Sequence, residues 1–98
     1  MLLDKTLILK VLKEIKKEII SKYMVKDIGL FGSYVKDMQN DSSDIDFLVE
    51  FDKGADLFHF MGLIFFLEEK FNRKVDVISK PALKEDLREN ILQEVMYE

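Results

Sequence analysis

Residues 44–51 alternate between two kinds of side chain, and this pattern constrains the fold more than any other part of the chain. Side chains on a β-strand point alternately to opposite faces of a sheet, so the pattern predicts a strand with one apolar face and one largely acidic face. The apolar face carries Ile45, Phe47, Val49 and Phe51, and the other face carries Asp44, Asp46, Leu48 and Glu50. Such a strand needs a sheet beside it and helices to cover its apolar face.

Helical and extended patterns alternate along the rest of the chain. Apolar residues at four-residue spacing predict a helix over residues 4–23, and further helices are predicted over 56–72 and 83–97. Short apolar runs predict strands over residues 25–31 and 74–79, and a polar cluster predicts a turn over 40–43. These elements, in a chain of 98 residues, predict a single small α/β domain over residues 1–98, with a short sheet in two or three layers.

The composition is that of an ordinary globular protein, with 48% hydrophobic and 35% charged residues, so a disordered chain is excluded. The absence of cysteine excludes disulfide scaffolds, zinc–thiolate sites and thiol nucleophiles. The longest apolar run, residues 60–67, is much shorter than the about 20 residues of a membrane-spanning helix. Charged residues interrupt the N-terminal segment, so no signal peptide is predicted, and we expect a cytoplasmic protein with no membrane partner.

The charge is unevenly distributed along the chain. The formal net charge is −4, and residues 27–72 carry ten acidic residues against three lysines. General nucleic-acid binding through bulk positive charge is therefore not expected. The acidic middle of the chain is better suited to metal ions or to a basic partner.

A glycine–serine pair, Gly32-Ser33, follows the strand predicted over residues 25–31. Glycine has no Cβ, so a phosphate group can approach the backbone closely there, and the serine adds a hydroxyl donor. Free N–H groups at the start of a helical turn would favour an anion at the same place. By itself the pair has a simpler interpretation as an ordinary turn after a strand.

Three aspartates form the second candidate feature. Asp44 and Asp46 lie two residues apart and therefore share one face of their strand, where their like charges raise each other's pKa. Asp76 lies in the middle of the apolar strand over residues 74–79 and would join them if the two strands were neighbours. Carboxylate oxygens suit Mg²⁺, and three of them around one or two ions would make a centre for phosphoryl or nucleotidyl transfer. The alternative is a solvated acidic surface on an edge strand.

Taken together, these features resemble the signature of the polymerase-β-type nucleotidyltransferase superfamily: Gly32-Ser33, ten intervening residues, Asp44-Ile45-Asp46, and then Asp76. Residues 31–34 and 43–49 are most similar to the minimal nucleotidyltransferases, which are single-domain proteins encoded beside a HEPN-domain ribonuclease toxin. The resemblance covers residue 25 to the C-terminal helix. It implies a polymerase-β-like α/β (α+β) fold, with a short mixed sheet flanked by helices.

The resemblance also implies roles for individual residues. Asp44, Asp46 and Asp76 would bind one or two Mg²⁺ ions and form the catalytic set, and Asp76 would activate the acceptor hydroxyl. Gly32, Ser33 and Lys36 would bind the nucleoside triphosphate, with ATP as the substrate. The implied acceptor is a tyrosine of the HEPN toxin, whose adenylylation makes the nucleotidyltransferase an antitoxin.

The chain departs from the commonest form of the family just after Ser33. Many relatives have arginine and glycine where this chain has Lys36 and Asp37. Lysine binds phosphate without the planar bidentate contact of arginine, and Asp37 replaces a flexible residue. We therefore expect a reduced affinity for the triphosphate.

Several alternatives stay open from the sequence alone. The chain could be a binding module that neutralises its partner by steric masking with an idle metal site, or a non-catalytic α/β domain. The helix over residues 56–72 is apolar almost all round, which favours core packing but also allows docking or a homo-oligomer. Tyr34 could stack on a base or lie on the surface, and the single histidine, His59, is expected to be structural.

Overall fold

The computed structural model describes residues 3–98, so residues 1–2 of the predicted domain lie outside the described part. Three helices and four strands follow one another along the chain: α1 (Lys5–Tyr23), β1 (Val25–Phe31), β2 (Ile45–Phe51), α2 (Leu57–Phe71), β3 (Val75–Ser79), α3 (Glu85–Glu94) and β4 (Met96–Tyr97). Short 3₁₀ turns, Gly32–Tyr34 and Lys80–Ala82, follow β1 and β3. The predicted helices over 4–23 and 56–72 and all three predicted strands are present.

The four strands form one mixed sheet in the order β3-β2-β1-β4. Strand β2 runs parallel to β3 and antiparallel to β1, and β1 runs antiparallel to β4. With helices packed against this sheet, the predicted fold class is confirmed. No helix within residues 3–98 is both long and apolar enough to cross a membrane.

The main core lies between one face of the sheet and helices α1 and α2. The apolar face predicted for β2 is buried there, together with a stripe of residues at helical spacing on α1 and the inner face of α2. The fully buried members include Ile8, Leu12, Ile19, Ile28, Ile45, Phe47, Val49, Leu63 and Leu67. Removing this apolar surface from water is the main contribution to stability.

Capping fixes the ends of both long helices. The Asp4 carboxylate accepts a hydrogen bond from the Leu7 amide at 2.9 Å, and α1 ends at Met24 in the left-handed conformation. Asp56 and His59 form a reciprocal capping box at the start of α2, and Asn72 closes that helix in the left-handed conformation. His59 is therefore structural, as expected.

Only one face of α2 packs in the core. Leu63, Leu67 and Phe71 are buried, which confirms the expected packing role of this helix. The opposite face leaves four large apolar side chains exposed to solvent, namely Leu57, Phe58, Met61 and Phe65. The all-round apolar pattern therefore reflects a buried face and an uncovered apolar face, which we call the outer face of α2.

The predicted bounds of the C-terminal helix, residues 83–97, are wrong at both ends. Helix α3 begins at Glu85 and ends at Glu94, Val95 is extended, and residues 96–97 form β4 against Gly29 and Leu30 of β1. Gly29 makes this possible because a Cβ there would lie 2.6 Å from a methyl group of Val95 and 3.0 Å from the Tyr97 ring. Backbone pairing along β1 is thus more favourable than two further helical residues.

Candidate active site

The turn after β1 holds a backbone conformation that favours glycine. Gly32 has φ +81°, and a Cβ at this position would overlap the carboxylate of Asp46. A side chain here would therefore be strained and would also displace that carboxylate. The predicted Gly-Ser turn and the predicted aspartate face consequently meet at one place.

Strands β2 and β3 bring two of the predicted aspartates side by side. Asp46 and Asp76 are direct partners in the parallel pairing, so their side chains leave the same face of the sheet. This is the face opposite the main core. Asp44 lies one residue before β2 and is exposed, as is Asp76, whereas Asp46 is half-buried between β1 and β3.

The charge of Asp46 is held in an unfavourable environment. Burial, together with the nearby negative charges of Asp76, Asp44 and Glu94, raises the pKa of the Asp46 carboxyl to about 6. Its antiparallel neighbour on β1 is Phe31, a buried aromatic residue that keeps water from one side. A carboxylate in this position favours a proton or a cation beside it.

The residues predicted to hold the triphosphate lie along the same turn. Ser33 is half-buried, and its carbonyl accepts a hydrogen bond from the Met38 amide at 2.9 Å. Lys36 is exposed, and its Nζ lies 3.4 Å from Oε2 of Glu94. Asp37 has φ +56° and pairs with Lys5 at 3.0 Å, so it occupies the left-handed conformation that a glycine adopts without strain.

A cavity of about 570 Å³ borders the site on the side of Asp44. It lies between the turn over residues 41–43 and the residues that join α2 to β3, including Arg73 and Lys74. Asp46 and Asp76 do not line this cavity. Their face of the sheet also carries Phe31 and Leu48, which are buried with Leu83 in a second apolar cluster, so this face is partly covered.

Comparison with known proteins decides the family. The family model of the nucleotidyltransferase domain matches residues 12–97 of this chain. The protein adenylyltransferase MntA of Thermococcus cleftensis is 38% identical over 84% of this chain and 83% of the relative. This chain belongs to the nucleotidyltransferase domain family. The predicted identification as a minimal nucleotidyltransferase and the prediction of a nucleotidyltransferase enzyme are confirmed.

Solved structures share the fold of this nucleotidyltransferase. A structure provisionally described as a minimal nucleotidyltransferase superposes with a TM-score of 0.76 at 27% identity, covering 96% of this chain and 95% of that one. A crystal structure of a toxin–antitoxin with AMP-PNP superposes with a TM-score of 0.69, covering 87% of this chain and 70% of that one. At 21% identity the second likeness demonstrates a common fold.

The donor chemistry of the nucleotidyltransferase site fits Mg²⁺. In the described residues no three carboxylate or imidazole groups converge closely enough to enclose a cation. However, burial and the repulsion of neighbouring carboxylates raise the pKa of Asp46, and a divalent cation would relieve that repulsion. Hard carboxylate oxygens are also the ligands that Mg²⁺ prefers. Asp44 and Asp76 are exposed and therefore free to turn toward Asp46.

For Tyr34 the structure differs from the sequence predictions, and Glu94 is a residue near the site that the sequence did not predict. Tyr34 is fully buried in the main core, so both the stacking and the surface interpretation of this residue are wrong. Glu94 was not predicted, although its charge reaches Asp46 and its carboxylate contacts Lys36. No local sequence signal marks Glu94, since only the packing of α3 and β4 brings it to the turn after β1.

Proposed function

We propose that this nucleotidyltransferase transfers the adenylyl group of ATP to a tyrosine hydroxyl of a HEPN-domain ribonuclease toxin and thereby acts as its antitoxin. The observation that carries the proposal is the register of Asp46 with Asp76, with the Gly32 backbone against the Asp46 carboxylate. Two strands and one turn converge on a single patch of the sheet. A triphosphate, an acidic metal site and an acceptor all need to meet in such a patch.

The proposed roles follow from charge and position. Asp44, Asp46 and Asp76 would hold Mg²⁺, which would supply Lewis-acid stabilisation of the negative charge that develops on the phosphate oxygens. Gly32 lets the Asp46 carboxylate lie against the turn. The backbone of this turn then faces the triphosphate, and the Ser33 hydroxyl donates a hydrogen bond to it. Lys36 adds a positive charge at the open end of the turn, and Asp76 takes up the proton of the acceptor hydroxyl. The acceptor oxygen forms a bond to the α-phosphorus of ATP while the bond from that phosphorus to the β-phosphate breaks, and pyrophosphate leaves.

The partner is inferred from related proteins. A relative is named a protein adenylyltransferase, and a protein of the same fold has been crystallised as a toxin–antitoxin with AMP-PNP. Because Asp76 is exposed and Asp46 is only half-buried, a protein acceptor can approach these two carboxylates from solvent. The use of ATP is consistent with a cytoplasmic location.

Steric masking of the partner is the second candidate function. It is favoured by the separation of the carboxylates, since no three of them converge within residues 3–98. In this case the chain would bind the toxin without modifying it. The metal site would then be idle.

Mass spectrometry of the partner separates the two functions. The HEPN-domain protein is incubated with ATP, Mg²⁺ and either the wild type or the Asp46→Asn variant, and its intact mass and ribonuclease activity are measured. We expect the wild type to add one adenylyl group and to silence the ribonuclease, and Asp46→Asn to do neither. The matched control is Asp52→Asn, an exposed aspartate beyond the other end of β2. Silencing by Asp46→Asn without any mass change would instead support masking.

A further inference from the structure

Lys36 is held by a residue from the other end of the chain. Its Nζ lies 3.4 Å from Oε2 of Glu94, the last residue of α3. The Lys36 side chain is 56% exposed and the Glu94 side chain only 20% exposed, so Glu94 is the better-fixed member of the pair. A lone surface lysine samples many rotamers, and an ion-pair partner on a fixed element restricts them.

The C-terminal strand fixes Glu94 in turn. The amide of Val95 donates to the Ile91 carbonyl at 3.0 Å, and β4 then pairs with Gly29 and Leu30 of β1. Val95 and the Tyr97 ring pack directly on Gly29, three residues before the turn begins at Gly32. Thus α3 ends, and its last side chain emerges, beside the predicted nucleotide-binding turn.

Glu94 also lies on the same side of the sheet as the aspartates. Its negative charge is one of those that raise the pKa of Asp46, so it acts across the carboxylate face. Lys36 is thus paired with a carboxylate that acts on Asp46 but is not itself a predicted metal ligand. Because an ammonium group has three N–H donors, Lys36 can keep Glu94 as a partner and still donate to a phosphate oxygen.

We propose that Glu94 is a positioning residue, which holds the Lys36 ammonium beside the carboxylate face so that it meets the triphosphate of ATP. This inference rests on the proposed function of Lys36 as a triphosphate ligand. It adds a residue from the C-terminus to a site otherwise built from residues 32–76. In this arrangement Glu94 acts only through Lys36 and makes no contact of its own with the nucleotide.

Isothermal titration calorimetry of ATP, with and without Mg²⁺, tests the proposal on four proteins: wild type, Glu94→Gln, Lys36→Met and the double variant. Exposed ion pairs are worth little, so we expect Glu94→Gln to weaken ATP binding by about two- to five-fold. We expect Lys36→Met to weaken it at least as much, and the double variant to bind like Lys36→Met alone. Glu89→Gln, an exposed glutamate of α3, is the matched control and should bind like wild type.

Each other outcome has a distinct meaning. Unchanged or tighter binding by Glu94→Gln, or additive losses in the double variant, would overturn the positioning role and leave the proposed function standing. No effect of Lys36→Met would remove Lys36 from the site and overturn the inference with it. No binding of ATP by the wild type would overturn both the inference and the self-sufficient nucleotide site. Circular dichroism and thermal melts of every variant exclude loss of the fold as the cause.

Discussion

Replacing Asp46 with asparagine should stabilise the protein at neutral pH while removing its function. Burial and three neighbouring negative charges raise the pKa of this carboxyl from 3.8 to about 6 in the folded state. The folded protein therefore binds a proton at Asp46 more tightly than the unfolded chain does. The free energy of unfolding therefore falls as the pH rises from 3.8 to about 6, because the folded state must release the Asp46 proton over this range. Asparagine stays neutral throughout and avoids the loss.

The magnitude follows from the size of the shift. A rise of about two pH units corresponds to at most about 3 kcal/mol, since one unit is about 1.4 kcal/mol. Asp46 is only half-buried, and solvent screening reduces this figure. We expect Asp46→Asn to raise the free energy of unfolding by about 1–2 kcal/mol above pH 7, and by close to zero at pH 4 and below.

Urea denaturation followed by circular dichroism, at intervals from pH 4 to pH 8 and without divalent cations, measures this difference directly. Asp52→Asn serves as the control, because this exposed aspartate lies outside the site. A gain for Asp46→Asn that does not change with pH would refute the electrostatic reasoning. A loss of stability at neutral pH would refute it more strongly. A confirmed gain would identify Asp46 as a residue kept for function at the expense of stability.

Three further predictions concern the turn and the helices. Gly32→Ala should destabilise the protein by about 1–3 kcal/mol in thermal melts and abolish ATP binding in calorimetry. The reason is that Gly32 has φ +81° and that the added Cβ would overlap the Asp46 carboxylate. ATP binding as strong as that of the wild type would contradict the contact between Gly32 and Asp46. In urea denaturation, Leu67→Ala should lower the free energy of unfolding by about 2–5 kcal/mol and Phe58→Ser by less than about 0.5 kcal/mol. Leu67 is fully buried, whereas Phe58 is 85% exposed. Equal losses of stability in the two variants would disprove the orientation of α2. Asp37→Gly should tighten ATP binding in calorimetry, because it removes a negative charge and replaces an aspartate that has the left-handed backbone conformation. An unchanged dissociation constant would show that Asp37 does not lower the affinity for ATP.

The elements with long periodic patterns were predictable from the sequence. Seven alternating residues define β2, and the apolar stripe of α1 specifies its buried face. The pairing of Asp46 with Asp76 could be expected only if β2 and β3 were neighbours, which no local pattern establishes. The family resemblance supplied that step, and the parallel register agrees with it.

Other features depend on contacts between distant parts of the chain. Strand β4 has only two residues, which are too few to show the alternation of a strand. The sequence pattern therefore predicted them as a continuation of helix α3. The contact between Glu94 and Lys36 depends on the pairing of β4 and likewise could not be predicted from the sequence. The outer face of α2 could not be separated from its buried face by sequence, because both faces carry large apolar residues.

Calorimetric titration of ATP with and without Mg²⁺, on wild type, Asp46→Asn and Asp52→Asn, tests the central claim most directly. The claim is that the aspartates of β2 and β3 and the turn after β1 form one nucleotide site. We expect saturable, Mg²⁺-dependent binding by the wild type and Asp52→Asn, and loss of that binding in Asp46→Asn even though this variant remains folded. Equal binding by all three proteins would contradict the claim, because the nucleotide would then be bound without the Asp46 carboxylate.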